Sequence, residues 1–354
     1  MKILISILFI FLFTNISKSQ ERIEDEFESS GKVWGYVFGD YFYKAGGDSI
    51  AVGRGFYSSY AKDYNAFEFR RAIIGYDYKI CKHFETRFSL SYEGGDFTSS
   101  SNRTVFIKDA LLTWKEIFKN SDLSVGLMKT PTFGYTSEEF WGYRSIEKTL
   151  LDFQGIASSR DIGISLRGFF DDNKDYGYNF MVGNGKGTKL ETNKYKRFYG
   201  HLFSYLLDES ILLEAYSDYE KVSPERSNTT IKGFLGYQSD KVTAGVEVFQ
   251  QMQKNAIGDT AIKKPFGVSV FVRGNIIKDK LNAFGRFDYF DPDTDNSNYG
   301  FKENFISVGL DIIPHKNVHI MPNVWVNTYT DKSASNIDIK TDIVPRVTFW
   351  YIYK

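Results

Sequence analysis

From about Lys32 to the C-terminus the sequence is a succession of segments of roughly ten residues in which apolar and polar side chains alternate. No other feature restricts the fold as strongly. In Phe84–Glu93, Phe84, Phe88, Leu90 and Tyr92 share one face, and Glu85, Arg87, Ser89, Ser91 and Glu93 share the other. A slip of one residue would move every charge to the apolar side, so the register is specified. Ile162, Ile164, Leu166 and Phe170 alternate in the same way with Asp161, Ser165 and Arg167. Val242, Ala244, Val246 and Val248 alternate with Thr243, Glu247 and Gln251. The pattern repeats where Phe266, Val268, Val270 and Val272 face away from Ser269 and Arg273, and Ala283, Phe287 and Tyr289 from Asn282, Arg286 and Asp288. Strands with one greasy and one wet face build a membrane barrel around water.

Composition supports this reading. With 17% aromatic residues and a mean hydropathy of −0.33, the apolar side chains are spread too thinly for a bundle of spanning helices. Forty-four basic residues balance 44 acidic ones, which excludes a nucleic-acid partner because phosphate binding needs a basic excess. Cys81, the single cysteine, can close no intrachain disulfide. At the N-terminus, Lys2 precedes an apolar run from Ile3 to Phe13, and Ser17-Lys18-Ser19 supplies a cleavage site. That run is shorter than the roughly 20 residues a spanning helix needs. The expected organisation is a signal peptide over residues 1–19, an N-terminal periplasmic extension over 20–31 and a barrel over 32–354. The bacterial outer membrane and its lipids are then the destination.

The joints carry the topology. Short polar joints at residues 79–83, 119–122, 171–175, 207–210, 239–241, 277–280 and 314–317 alternate with longer stretches at 45–63, 94–103, 130–159, 185–194, 223–228, 253–263, 291–300 and 331–342. Seven short and eight long joints separate sixteen antiparallel strands, with both termini on the side of the short turns. The all-β fold expected is therefore a 16-stranded antiparallel transmembrane β-barrel. A barrel of this size is too wide for its own side chains to fill and should hold water. The last segment, Val344–Lys354, is aromatic, as in the recognition signal for the barrel assembly machinery, but it ends on Lys354.

The longest joint, residues 130–159, carries Phe133, Tyr135, Phe140, Trp141, Tyr143, Leu150, Leu151 and Phe153. A loop so apolar should pack on something, and the lumen wall is nearest. It is expected to fold into the lumen as a constriction, with Glu138, Glu139, Arg144, Glu147 and Lys148 facing the passage and Arg160 at the loop-to-strand junction. Asp152 is a further charge of the loop. Thr136 and Glu139 fit a capping box, and residues 145–152 fit a short helix. Fixed charges of both signs across a constriction set a size limit and a transverse field.

Several segments resemble landmarks of the phosphate-selective porin O and P family: Phe69-Arg70-Arg71-Ala72-Ile73-Ile74-Gly75, Lys108-Asp109-Ala110-Leu111-Leu112, Gly126-Leu127-Met128-Lys129-Thr130-Pro131, Ser159-Arg160-Asp161-Ile162-Gly163-Ile164 and Gly285-Arg286-Phe287-Asp288-Tyr289-Phe290-Asp291-Pro292. The resemblance implies an outer-membrane barrel, often a homotrimer, with a lumenal loop and basic residues guiding anions. By position it places Glu138 and Arg144 in the loop, Arg160 and Asp161 in the strand that follows, and Arg286 and Asp288 in the late motif. The function implied is passive diffusion of small hydrophilic solutes or anions such as phosphate, without cofactor or catalysis. The competing expectation is a non-conducting surface or adhesion barrel.

Alternation assigns the basic residues Arg71, Arg87, Arg167, Lys232, Arg273, Arg286 and Arg346 to the lumen, against the acidic Glu85, Glu93, Asp109, Asp161, Glu214, Asp218, Glu247, Asp288 and Asp311. Seven against nine is no strong anion field, so any selectivity must come from clustering. Other signals are weaker. Gly183-Asn184-Gly185-Lys186-Gly187 lacks the spacing of a phosphate loop. Asp291, Asp293 and Asp295 alternate as in a calcium loop, but Asn296 stands where glycine is needed and Lys302 where the glutamate belongs, leaving a weak candidate metal site. Cys81 and His83 have no further ligands nearby. His201 and Ser204, the pair a lipase would need, alternate to opposite faces.

Overall fold

The computed structural model describes residues 28–49, 53, 55–94, 103–257, 261–295, 300–332 and 337–353. The expected signal peptide lies outside them, as does most of the 20–31 extension. The strands are β1 (Ser30–Tyr43), β2 (Asn65–Cys81), β3 (Phe84–Glu93), β4 (Phe106–Phe118), β5 (Ser121–Lys129), β6 (Arg160–Phe169), β7 (Tyr176–Gly183), β8 (Arg197–Leu206) and β9 (Ile211–Lys221). They continue with β10 (Ser227–Gln238), β11 (Val242–Ile257), β12 (Ala261–Lys263), β13 (Phe266–Ile277), β14 (Leu281–Asp291), β15 (Phe301–His315), β16 (Val318–Asp331) and β17 (Asp342–Tyr353).

Each strand pairs antiparallel with the next, and β1 pairs with both β2 and β17, from Gly35↔Tyr353 to Phe42↔Arg346, which closes the sheet. The short β12 only extends the outer end of the β11 hairpin, because β13 pairs directly with β11 along Val242–Gln250. Sixteen strands therefore form the closed barrel. Closure leaves no free edge, so every strand can satisfy its backbone polar groups inside the sheet, as a membrane requires.

Burial follows the alternation. Ile164, Val246, Val248, Val270, Val272 and Phe287 are exposed on the outside, whereas Asp161, Ser165, Glu247, Ser269, Arg286 and Asp288 are buried on the inside. All seven short joints fall at the expected places, and left-handed residues such as Asn120 (φ 57°) and Asp279 (φ 58°) make them tight. In the 170–175 turn, Asp171 accepts hydrogen bonds from the amides of Tyr176 (2.9 Å) and Asp175 (3.0 Å). These bonds, that from Tyr176 foremost, hold its carboxyl below the usual carboxylate range. A shallow apolar concavity of about 690 Å³ lies on the outer face near Tyr41, Val308, Pro322, Pro345 and Val347. It belongs to the greasy wall and not to the lumen.

Of the register shifts in the sheet, two bear on the inner wall of β2 and β4. Phe38 pairs with Arg71 and Gly39 with Phe69, so Arg70 is an extra residue on β2. Ser89 pairs with Asp109 and Leu90 with Ile107, so Lys108 is extra on β4. An inserted residue re-aims its neighbours. Here it brings Arg70 and Lys108 to the inner face beside Arg71 and Asp109.

Candidate functional site

The inner wall carries a dense set of ions, and most are neutralised in place. Arg71 lies 3.0 Å from Glu93, Lys108 2.6 Å from Glu93, Arg87 2.7 Å from Asp77, and Arg160 2.5 Å from Asp109. Arg197 lies 2.7 Å from Asp218, Arg286 2.5 Å from Asp288, and Arg70 pairs with Asp40. Lys232 bridges Glu214 at 2.9 Å and Glu247 at 3.2 Å. Buried charge needs such compensation, because an unpaired ion taken out of water costs several kcal/mol (~3–5).

Residues 130–159 pack on inward-facing side chains of the wall. Thr130 Oγ1 donates to the Ser158 carbonyl (2.8 Å) and closes the neck of the segment. Two short helices follow, Ser137–Trp141 and Leu150–Phe153. The expected capping box does not form, since Thr136 makes no side-chain capping bond. The second helix begins at Leu150 and not at the expected residue 145, since the carbonyls of Ser145 and Ile146 are taken by Arg70 and Arg346 on the wall. The Trp141 ring is fully buried, 5.4 Å from that of Phe271, 6.0 Å from Phe284 and 5.7 Å from Tyr143. The first helix ends at Gly142, left-handed at φ 66°, where an added Cβ would lie 3.1 Å from the Arg273 guanidinium. Glycine alone suits both demands.

A segment this irregular leaves carbonyls without strand partners, and wall cations satisfy them. Arg273 Nε donates to Phe140 O (3.1 Å), Arg286 Nη1 to Lys148 O (2.6 Å), Arg346 Nη2 to Ile146 O (2.7 Å) and Lys232 Nζ to Thr132 O (2.5 Å). Arg70 donates to Ser145 O. Tyr143 Oη donates to Asp311 (3.0 Å), and Trp325 Nε1 to Glu147 Oε2 (3.1 Å). These anchors run along the inner arc from β10 through β17 to Arg70 on β2.

The five loop charges have separate fates. Glu147 is buried against Trp325, and the backbone of Lys148 is held by Arg286. Arg144 turns back on its own segment, 2.9 Å from Asp152 and 3.9 Å from Glu138. Glu139 is exposed and lies 3.4 Å from Lys129. Among the wall charges, Arg273, Arg286 and Asp288 lie beneath the segment, whereas Arg87 and Arg167 face a cavity. Asp161 holds the 183–187 turn through the Gly185 amide (2.7 Å) and accepts from Tyr199 Oη (2.8 Å).

A second inward segment escaped sequence reasoning. Within the 45–63 joint, Tyr57 is fully buried, donates to Asp40 (2.5 Å) and accepts from Arg346 Nη1 (2.6 Å). Its ring packs 4.9 Å from Phe42 and 5.5 Å from Trp325. The only hint in the sequence is Asp40, a carboxylate at an inward position among aromatic residues.

Open space remains on the other arc. A cavity of about 580 Å³ lies along β2 to β6, lined by Lys32, Asp77, Lys79, Glu85, Arg87, Asp109, Thr113, Lys115, Ser124, Lys129, Tyr135, Ser165 and Arg167, among others. A neighbouring cavity of about 440 Å³ at the short-turn end shares Lys79, Glu85, Lys115, Asp122 and Arg167 with it. In the larger one, six basic residues (Lys32, Lys79, Arg87, Lys115, Lys129, Arg167) face four acidic ones (Asp77, Glu85, Asp109, Asp122).

The remaining sequence candidates fall outside this space. Asp291 is paired with Lys332 (2.6 Å) and Lys302 (3.5 Å), and Asp295 with Lys264 (2.7 Å). Asp293 accepts from the backbone amide of Lys264 (2.9 Å). Among the described residues no group of three His, Cys, Asp or Glu is placed to hold a metal. His201 is buried on the inner face, 3.8 Å from Glu214, and stacks on Phe203, while Ser204 alternates to the other face.

No protein-family model matches the sequence, and no curated protein matches it. Solved structures do. The outer membrane channel DcaP of Acinetobacter baumannii superposes with a TM-score of 0.68 at 13% identity, covering 92% of this chain and 97% of that one. The anion-selective porin from Comamonas acidovorans gives 0.64 at 12% identity, covering 92% and 100%. OmpT of Vibrio cholerae, expressed in the outer membrane, gives 0.62 at 10% identity, covering 94% and 100%. What they share with this chain is the fold, the 16-stranded barrel of outer-membrane channels.

Proposed function

We propose that this protein is an outer-membrane porin through which small hydrophilic solutes diffuse down their gradients, with the aqueous passage along the β2–β6 arc. The observation that carries the reading is the charged cavity of about 580 Å³ on that arc, beside a segment anchored along the inner wall from β10 through β17 to Arg70. In this reading residues 130–159 are the constriction. They narrow the barrel by filling one side of it with aromatic rings, and the cavity side chains do the sorting. Glu139 and Lys129 stand at the edge of the segment, while Glu147 and Lys148 act as anchors. The channels among the similar structures support the reading, and the excess of basic over acidic residues in the cavity favours anions.

A second reading has its own support. Trp141, Trp325, Tyr57 and Phe133 are fully buried inside the barrel, which suits an occluded structural or adhesion protein. Purified protein in a planar bilayer separates the two. The porin reading requires stepwise current increments that persist across salts, and silence at every salt concentration would favour the occluded barrel.

A further inference from the structure

The inner-wall arginines differ in what they are bound to. Arg70, Arg71, Arg87, Arg160, Arg197 and Arg286 each hold a carboxylate. Arg273 and Arg346 hold no carboxylate, yet both are tied to carbonyls of the constricting segment. Arg167 is the exception among the described residues. It has neither an ion pair nor a hydrogen bond, and its Nε is buried without a partner. Asp122, its cross-strand neighbour on β5, is taken by Lys115.

What holds Arg167 instead is aromatic. Its guanidinium carbon lies 4.3 Å from the centre of the Tyr135 ring and 5.9 Å from that of Phe203. These ring contacts hold the guanidinium in place and use none of its N–H donors. Arg167 also lines both cavities, at the place where they adjoin. The four cavity carboxylates are committed to other cations: Asp77 to Arg87, Asp109 to Arg160, Asp122 to Lys115, and Glu85 to Lys115 at 3.8 Å.

Resting on the porin reading, we infer that Arg167, clamped on Tyr135, is a resting site for a permeating oxyanion, a carboxylate or phosphate group on a small solute. The planar fork donates to two oxygens side by side, and the flanking rings exclude water from the faces of the contact. Lys79, which lines both cavities and has no ion pair among the described residues, would draw the anion in from the short-turn side. Only the oxyanion function is specified. Benzoate and inorganic phosphate therefore serve as the two probes.

The test uses the full barrel in planar bilayers, in its native sequence and as Arg167→Gln and Arg167→Lys, with closure of each barrel checked by heat-dependent electrophoretic mobility. In a potassium chloride gradient, Arg167→Gln should lower the anion-to-cation permeability ratio about two- to fivefold, the effect of one unit charge at about 4–8 Å in water. Benzoate or phosphate added on the short-turn side should attenuate the native chloride current in a saturable way. That attenuation should vanish in Arg167→Gln and weaken in Arg167→Lys, which keeps the charge and loses the fork. Response to one probe alone assigns the site to that oxyanion. Conducting native and Arg167→Gln channels with equal permeability ratios and equal attenuation would overturn the inference while leaving the porin reading intact. A silent native protein would instead overturn the porin reading.

Discussion

Replacing Trp141 with alanine tests whether residues 130–159 are what narrows the barrel. The ring touches Phe271, Phe284 and Tyr143, its Nε1 donates to the Glu147 carbonyl (3.0 Å), and the Arg286 guanidinium lies 5.4 Å from its centre. Truncating a fully buried tryptophan costs about 3–5 kcal/mol in lost transfer and cavity energy. At ~1.4 kcal/mol per tenfold, this shifts the docking equilibrium toward the undocked segment by a factor of about 10²–10³ or more. The barrel ladder is untouched, so the loss is confined to docking of the segment. Two readouts follow. Single-channel records should gain a second, larger conductance level, and trypsin should cut after Arg144 or Lys148 in membrane-embedded protein whose native form resists. Ile164→Ala, an outward change on β6, is the control and should alter neither. A single unchanged conductance level together with unchanged protease resistance in Trp141→Ala would refute the reasoning.

Two further substitutions probe the wall. Lys232→Met strands Glu214 and Glu247 in the interior and releases the Thr132 carbonyl, so urea unfolding should show a loss of about 3–5 kcal/mol, partly recovered when both glutamates become glutamine; an unmoved midpoint contradicts the ion cluster. Val246→Arg places a cation on the lipid face of β11 between Leu235 and Val270, which should cost about 2–4 kcal/mol of folding stability in bilayers, while Val246→Leu should be neutral; equal stability of the two would place residue 246 on the wrong face.

The fold was legible because a period of two is a local signal. The faces assigned to β3, β6, β11, β13 and β14 needed only neighbours a few residues apart, and the short turns announced themselves in polar residues. Where the chain inserts a residue, that signal fails. Arg70 and Lys108 sit at bulges, so alternation could not place them on the inner face. The segment 130–159 was conspicuous because its aromatic residues had to be buried somewhere. Its anchors were not conspicuous, since they join residues far apart in sequence, such as Arg346 with Ile146 and Trp325 with Glu147. For the same reason the loop charges read as facing the passage, although Glu147 is an internal anchor. Tyr57 was missed because nothing in the 45–63 stretch is as apolar as the longer loop. Counting lumen charges gave near balance. The pairing of those charges, which only three dimensions reveal, singles out Arg167.

In a porin of this build, water fills the β2–β6 arc and is excluded beneath the docked segment. Thiol accessibility measures this directly in a Cys81→Ser background, with Ser124→Cys in the cavity and Ser307→Cys on β15 at an inner position without exposed surface. In planar bilayers a charged, membrane-impermeant thiol reagent should reduce the current through Ser124→Cys channels within the recording and leave Ser307→Cys channels unaffected. Modification of Ser307→Cys with no effect at Ser124→Cys would contradict the account.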